Sequence, residues 1–132
     1  MKAEAEKHLQ RAEKCISVAE DLLRLGHWPE TVSRSYYAMF HAAVGVLLQL
    51  GIERSSHHGV WAAFGEFVTV KGLMDVHYHH AGLEWFRSRS DSDYFAEPAD
   101  TDEDAEDALA AGRDFVAACR SFLEKRETGA DL

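Results

Sequence analysis

The sequence predicts an all-α fold, an up-and-down bundle of four to five helices. Apolar residues recur at steps of three and four along most of the chain, which is the spacing of one face of an α-helix. No segment shows the sustained alternation of apolar and polar residues that is typical of strands. The chain of 132 residues is 46% hydrophobic, with two prolines and no repetitive tract, so we expect a single domain spanning residues 1–132.

Two long helices open the chain. The first ends at Gly26, a typical C-terminal cap, and the second begins near Pro29 and ends before Gly51. The connection between them, GHWP, is short, so we expect the two helices to lie antiparallel. The apolar positions of the first helix are Ala5, Leu9, Ala12, Ile16, Ala19 and Leu23.

The middle of the chain predicts two further helices. The loop GIERSS offers Ser55 or Ser56 as the N-cap of a third helix, and Gly72 marks a break after it. A fourth helix is predicted over Leu73–Arg89. The segment that follows, SRSDSDYFAEPAD, is rich in serine and aspartate and contains Pro98, so we predict that it is irregular.

A last helix is predicted to begin at Thr101. Its hydroxyl suits an N-cap, and Asp104 stands at the position from which a capping box is closed. Asp102 and Glu103 favour the same start because they lie at the positive end of the helix dipole. We therefore interpret the acidic run here mainly as a solvated helix start rather than as an interaction tail.

The net charge of −9 argues at first against a nucleic-acid-binding protein, because neutralising phosphates needs clustered lysine and arginine. The segment Glu97–Asp107 alone carries seven acids and no base, and removing it leaves a net charge of −2 for the rest of the chain. The sequence is therefore compatible with a local basic patch, for example around Arg87 and Arg89.

No targeting or membrane segment is visible. The N-terminal residues are charged, and no run of 18 apolar residues occurs. We therefore expect a cytoplasmic protein that has no membrane partner. Cys15 and Cys119 lie on apolar-patterned segments far apart in the chain, which favours reduced core thiols over a disulfide.

Eight histidines raise the question of a metal site. His77 and His80 lie about one helical turn apart, and His57 and His58 begin the preceding helix. A zinc site needs further ligands at workable spacing, and neither an HExxH motif nor a CxxC pair is present. We therefore predict partly exposed polar histidines, with no metal and no cofactor.

Two segments concentrate chemically versatile side chains. In SRSYYAMFHAA, helical spacing puts Tyr36 and Phe40 in the core. Tyr37 and His41 are left either as satisfied structural groups or as the lining of a polar groove or subunit interface. The second segment, RSRSDSDY, joins two arginines to two carboxylates and a phenol. It suits phosphate binding, or it forms a charged loop in which arginine and aspartate pair locally.

Three stretches, SRSYYAMFHAAVGVLLQLG, SSHHGVWAAFGEFVTVKG and LEWFRSRSDSDYF, together resemble the HEPN domain (higher eukaryotes and prokaryotes nucleotide-binding) in its small stand-alone prokaryotic branch. The resemblance spans residues 5–123. It implies a helical bundle that forms a homodimer and is often encoded beside a minimal nucleotidyltransferase, in many cases as a toxin–antitoxin pair. For active toxins it implies a metal-independent ribonuclease with an R-x(4–6)-H motif at the dimer interface.

The ribonuclease motif lacks its histidine in this chain. No histidine follows Arg87, and Asp93 stands six residues after it. Cleavage through a 2′-hydroxyl needs a group that exchanges a proton near neutral pH, which histidine does well and an unperturbed aspartate does poorly. If the chain is a ribonuclease, the candidate catalytic residues are therefore Arg87, Asp93 and, reaching in from the second helix, His41.

The function predicted from the sequence is a nucleotide- or RNA-associated binding module that works with a minimal nucleotidyltransferase. The arginines would hold phosphate, the tyrosines would stack on or hydrogen-bond a base, and Asp93 would orient Arg87. Two alternatives stay open: a divergent endoribonuclease toxin, and a ligand-free interaction module that dimerises and docks a partner through its aromatic helix faces. The candidate binding residues are Arg34, Tyr37, Arg87, Arg89 and Tyr94.

Overall fold

Five α-helices make up the computed structural model, which describes residues 1–128 apart from the side chains of Ser92 and Thr128. No strand occurs within this range, so the predicted all-α fold is confirmed. None of these helices is both long and apolar enough to cross a membrane. The helices are α1 (Ala3–Arg24), α2 (Trp28–Gln49), α3 (His57–Phe64), α4 (Val76–Tyr94) and α5 (Asp102–Thr128), and a π-helical turn, Gly65–Thr69, continues α3.

Helix α1 runs antiparallel to both α2 and α5. The backbone N–H of Lys2, just before α1, donates to Oε1 of Gln49 at the end of α2 over 2.6 Å. The N-terminal amine lies 3.2 Å from Oε1 of Glu127, near the end of α5. Helix α4 packs against α2 through contacts such as the ring of Phe86 on that of Tyr36. The arrangement is the predicted up-and-down bundle.

The predicted ends of the first three helices are confirmed by their capping geometry. Gly26 and Gly51 have φ angles of 79° and 82°, the left-handed conformation in which glycine commonly ends a helix. Oγ of Ser56 accepts the backbone N–H of Gly59 over 2.9 Å. Ser56, rather than Ser55, is therefore the N-cap of α3.

The start of α5 is the predicted capping box. The backbone N–H of Thr101 donates to Oδ2 of Asp104 over 2.9 Å, and the N–H of Asp104 donates to Oγ1 of Thr101 over 3.2 Å. The acidic residues at this position lie in the first turn of the helix, where they favour helix formation.

Helix α4 differs from its prediction at both ends. It begins at Val76 rather than Leu73, directly after Asp75, whose carboxylate caps the first turn. It continues to Tyr94, so the prediction of an irregular segment directly after Arg89 was wrong. The irregular connection to α5 begins only after this point.

Packing against α2 explains the longer helix. Serine and aspartate are weak helix formers on their own, which is why the sequence indicates a loop here. Arg89 and Asp93 form an ion pair over 3.1 Å at a spacing of four residues, which supports the last turns of α4. The side chain of Arg89 also packs over the aromatic rings of α2. These contacts depend on the fold and are invisible to a pattern along the chain.

The core centres on Trp61 of α3. Its indole is fully buried and contacts the rings of Tyr36, Phe64 and Phe115. Helix α4 passes directly over the indole, because a Cβ at Gly82 would overlap that ring. Only glycine allows this close approach, which fixes α4 in place against the rest of the bundle.

Both cysteines lie in the core. Cys15 and Cys119 are buried and free, as predicted for reduced thiols. Burial raises the pKa of the Cys119 thiol, so this group stays protonated and packs as a small apolar side chain.

Candidate functional site

Tyr36 of α2 is the buried centre of the candidate site. Its hydroxyl lies 3.0 Å from Nε1 of Trp61 and 2.6 Å from Nδ1 of His57. An indole N–H can only donate, so the hydroxyl accepts from Trp61. Because His57 is the other hydrogen-bond partner of this buried hydroxyl among the described residues, we assign the phenol proton to the bond with Nδ1 of His57. Burial raises the pKa of Tyr36 to about 12, which keeps that proton on the phenol.

His57, the first residue of α3, is held neutral and in one tautomer. Because its Nδ1 accepts from Tyr36, the neutral ring carries its proton on Nε2. The ring stacks with Phe40 at 4.1 Å between centroids and with Phe86 at 5.5 Å. Burial lowers the pKa of His57, and the charge of Arg89 lowers it further. The imidazole therefore offers a hydrogen-bond donor, Nε2–H, and no free acceptor.

Arg89 of α4 lies across the rings of this centre. Its guanidinium carbon is 5.1 Å from the ring centroid of Tyr36, 5.3 Å from that of Tyr37 and 5.7 Å from that of Phe86, all within cation–π range. Its Nη1 donates to Oδ2 of Asp93 over 3.1 Å. Its Nε–H is buried and has no hydrogen-bond partner in the part of the chain that the structure describes. Aromatic rings, more than paired charges, thus hold this guanidinium.

A second guanidinium, that of Arg34 on α2, contacts the ring of Tyr37. The guanidinium carbon of Arg34 lies 5.0 Å from the ring centroid of Tyr37. Arg34 is only half-buried, so its charge is accessible to a ligand. The ring of Tyr37 therefore contacts two guanidinium groups, that of Arg34 from its own helix and that of Arg89 from α4.

A groove beside these cations carries exposed aromatic side chains. Arg34, Asp93 and Phe95 line it, together with residues at the start of α2. Tyr94 is 86% exposed, and its ring contacts that of Phe95 edge to face, with 5.9 Å between centroids. The chain at the end of α4 thus places the ring of Phe95 in the same groove as Arg34, with the exposed ring of Tyr94 against it.

His41 faces α1 rather than α4. Its Nδ1 lies 3.1 Å from Nδ1 of His8, and the two rings stack with 5.3 Å between centroids. Burial lowers the pKa of His41 to about 4, and the positive potential of His8, Arg11 and Arg34 contributes in the same direction. His41 is therefore neutral near pH 7.

The structure separates Arg87 from the other candidate residues. It is exposed and has no hydrogen bond or ion pair with the residues that the structure describes. Two positions along an α-helix correspond to a rotation of about 200°, so Arg87 points away from the side that carries Arg89. Asp93, which was expected to orient Arg87, pairs with Arg89 instead. The residues that the structure does bring together are Arg34, Tyr37, Arg89 and Asp93, with His41 one turn further along α2, whereas Tyr94 is exposed and contacts Phe95.

Comparison with known proteins identifies the family of this bundle. A family model described as HEPN domain matches residues 5–122. The chain belongs to the HEPN domain family. Relatives of this HEPN protein include a UPF0332 protein of Gloeobacter violaceus, 31% identical over 93% of this chain and 98% of the relative. A UPF0332 protein of Pyrococcus horikoshii is 40% identical over 57% of this chain and 53% of the relative. A Methanocaldococcus jannaschii protein named "Putative toxin MJ0142" is 30% identical over 92% of this chain and 83% of the relative.

Spacing along the sequence of this HEPN domain does not reveal His57 and His8 as neighbours of the site. His57 is 21 residues from Tyr36 and reaches it only because α3 folds back across α2. His8 reaches His41 from 33 residues away, across the interface of α1 and α2. The available signal is the position of His8 three residues after Ala5, on the apolar face of α1, which indicates partial burial.

Several histidines of the HEPN domain contact protein groups at separate places, as His8, His57 and His77 show. Among the residues described, no three or more His, Cys, Asp or Glu side chains are placed to hold a metal ion. His77 lies 2.7 Å from a carboxylate oxygen of Asp75 and 3.7 Å from one of Asp114 at the surface. The site at Tyr37 itself consists of two fixed cations and aromatic rings.

Proposed function

We propose that this HEPN domain is a toxin-like module that binds a nucleotide or RNA through its phosphate groups. The observation that carries the proposal is the pair of guanidinium groups, from Arg34 and Arg89, that share the ring of Tyr37. Arginine suits this task because it is always charged and can donate two parallel hydrogen bonds to a phosphate. Two relatives from Methanocaldococcus jannaschii have the word toxin in their names, which supports the toxin-like part of the proposal.

The charge distribution supports an anionic ligand along α1, next to the histidine pair, whereas the groove at Arg34 also carries the carboxylates of Glu30 and Asp93. On α1, Glu6 and Glu13 turn toward α5, where both are hydrogen-bonded to Arg120. Lys7 and Arg11 are exposed and line a groove on the other side of the same helix, next to the histidine pair. The net charge of −9 is therefore compatible with a locally positive surface.

Exposed rings beside the arginines suit unpaired bases. Tyr94 and Phe95 are 86% and 60% exposed, and Phe95 lines the same groove as Arg34. Stacking of a base on an aromatic side chain contributes about 1–3 kcal/mol. A base on Phe95 would bring its own phosphate close to Arg34.

The site is richer in hydrogen-bond donors than in proton acceptors, which favours binding over cleavage. Nδ1 of His57 is occupied by the proton of Tyr36, and the carboxylate of Asp93 accepts from Arg89. A ribonuclease needs a base within reach of the 2′-hydroxyl. The one candidate left among the predicted residues is His41, which is neutral near pH 7, and cleavage that depends on His41 is our second candidate function.

An affinity measurement on two matched variants tests the proposal. Arg34→Gln should weaken binding of a fluorescently labelled single-stranded RNA about tenfold. The slope of log affinity against log salt concentration should also decrease in size by about one, because one phosphate contact is lost. Arg113→Gln removes the same charge from α5, where Arg113 pairs with Glu20, and should change the affinity less than about twofold. Equal loss in both variants would contradict a specific site at Arg34.

The second candidate is tested with the same RNA. Purified wild-type protein and His41→Ala are incubated with it, and the products are separated on a gel. Equal cleavage by both proteins, or by neither, would remove His41 as a base.

We extend the proposal to partners: the domain acts as a homodimer together with a minimal nucleotidyltransferase, as a toxin–antitoxin type system. The toxin-named relatives support a partner system, whereas the homodimer and the nucleotidyltransferase follow from the family resemblance of the sequence. Co-expression with the product of the adjacent gene, followed by size-exclusion chromatography, tests it. A stable complex of fixed ratio would support a two-protein system, and a monomer that retains no partner would contradict it.

A further inference from the structure

A second cluster of positive and titratable side chains lies one turn along α2 from Tyr37. His41 follows Arg34 by seven residues, which is two helical turns and about 10 Å along the axis. The two residues therefore lie on the same side of α2. The shallow groove around His41 is lined by Lys7, His8, Gln10, Arg11 and His41.

The two imidazoles in this groove face each other through their Nδ1 atoms, which are 3.1 Å apart. Two neutral rings share one proton at such a contact, so one ring donates and the other accepts. A phosphate placed beside both rings would replace this contact, and its negative charge would favour the uptake of one further proton by the pair. The pair of His8 and His41 is thus a group of variable charge placed between fixed cations.

Most of the charges that face the pair are positive. The acids on this side are Glu4 of α1, which acts on His8, and Glu53, which lines a neighbouring groove together with Glu4 and His8. Glu6 and Glu13 turn away toward Arg120 of α5. The cationic and titratable groups around the pair are Lys7 and Arg11 of α1, Arg34 of α2 and His57 of α3.

We propose that His8, His41 and Arg11 form a second phosphate-binding subsite, and that the ligand is a single-stranded oligonucleotide rather than a mononucleotide. The proposal rests on the proposed function, in which Arg34 holds a first phosphate. At about 3.4 Å per stacked nucleotide, roughly three nucleotides cover the distance between the two subsites. A duplex fits less well because its bases are not free to stack on the exposed rings at the end of α4.

The test compares ligands of two lengths, 5′-AMP and a single-stranded octanucleotide, by calorimetry or competition at fixed salt. The octanucleotide should bind the wild-type protein at least about tenfold more tightly than 5′-AMP. Arg11→Gln should weaken the octanucleotide about tenfold and leave 5′-AMP unchanged, whereas Arg34→Gln should weaken both. The control, Arg113→Gln, should change neither. Arg11 is exposed, so its replacement is not expected to impair folding.

A second variant and a pH series test the histidine pair itself. Octanucleotide affinity should rise as the pH falls from about 7 to about 5.5, because the bound phosphate favours the protonated pair and binding therefore takes up a proton. The double variant His8→Gln/His41→Gln should show a smaller rise, with its fold checked by circular dichroism. Equal slopes in the two proteins would overturn the role of the pair.

The outcomes separate the two proposals. If Arg11→Gln binds the octanucleotide normally while Arg34→Gln loses both ligands, the second subsite is overturned and the proposed function stands. If the wild-type protein binds neither ligand, the proposed function is overturned. An acidic peptide that binds the groove more tightly than the octanucleotide would overturn the inference in favour of a protein partner. RNA and DNA octanucleotides are compared in parallel, and tighter binding of RNA would identify the sugar as part of the ligand.

Discussion

Arg120 and Arg89 are both largely buried, at 22% and 14% side-chain exposure, yet only one of them is saturated with partners. Arg120 donates four hydrogen bonds of 2.7 to 3.2 Å to the carboxylates of Glu6 and Glu13. Arg89 donates to Asp93 and otherwise lies on aromatic rings, with its Nε–H buried and without a partner in the residues described. The interface of α1 and α5 uses charge for stability, whereas that of α2 and α4 leaves cationic donors unpaired.

The difference matters for what each arginine can still bind. A phosphate approaching Arg120 would have to displace carboxylates, and those hydrogen bonds lower the pKa of Glu6 because they favour its charged form. A phosphate approaching Arg34 or Arg89 would meet guanidinium groups that aromatic rings support without consuming their N–H donors. Aromatic support keeps a cation in place and leaves its hydrogen-bonding capacity for a ligand.

The largest expected effect is that of displacing α4, because this would disrupt the interface of α2 and α4. In Gly82→Ala, the new methyl group would overlap the fully buried indole of Trp61. Overpacking of this kind costs about 1–3 kcal/mol, and we expect the upper end because backbone must move. Urea unfolding should show this loss together with loss of RNA binding. Glu84→Ala, an exposed change on the same helix, should stay within about 0.5 kcal/mol, and equal stability of the two variants would contradict the close contact.

Replacing Arg120 and Arg89 by methionine, one at a time, measures what each arginine contributes to stability and to RNA binding. Arg120→Met should lower the free energy of unfolding by about 1–2 kcal/mol, less than for a deeply buried pair, because the carboxylates of Glu6 and Glu13 are 35% and 46% exposed. Its RNA affinity should stay within about twofold of wild type. Arg89→Met should cost about 1 kcal/mol or less but weaken RNA binding about tenfold. The reverse pattern would show that the two interfaces do not differ in this way.

A smaller effect is expected when the buried hydroxyl of the site is removed. In Tyr36→Phe, the N–H of Trp61 loses its acceptor and Nδ1 of His57 loses its donor, at a cost of about 1–2 kcal/mol. The free Nδ1 can then take a proton, so NMR titration should show a higher pKa for His57 than in wild type. Tyr37→Phe is the matched control and should leave that pKa unchanged. An unchanged pKa in Tyr36→Phe would contradict the assigned tautomer.

Helical periodicity and capping residues predict most of this fold, but they fail where packing decides the structure. With the segment after Arg89 predicted as a loop, the sequence gives no helical phase with which to choose between Arg87 and Arg89. Once α4 is known to continue to Tyr94, the phase follows, because Arg89 lies three residues after Phe86 on the side that faces α2. No spacing along the sequence predicts the contact of His57 with Tyr36, because this contact depends on how α3 crosses α2.

The smallest expected effect concerns His41 of α2 and the pH dependence of stability. The pKa of His41 is lowered from 6.5 to about 4, so between these values the unfolded chain binds more protons than the folded one. Stability should therefore fall as the pH decreases through this window, while above 6.5 both states are neutral and His41 contributes no pH dependence. His41→Gln removes this proton difference, so the variant should lose less stability than wild type between about pH 6.5 and pH 4. Carboxylates such as Glu6 titrate in both proteins and cancel in the comparison.

Urea unfolding of wild type and His41→Gln across this pH range measures that difference directly. If the free energies of unfolding of wild type and His41→Gln changed equally with pH, the lowered pKa of His41 in the folded protein would be contradicted. Because a bound phosphate would favour the protonated pair of His8 and His41, a saturating octanucleotide should stabilise the wild-type protein more near pH 5 than near pH 7. The difference between the two pH values should be smaller in His41→Gln, in which His8 alone can take up the proton, and this links the pH dependence of stability to occupation of the groove.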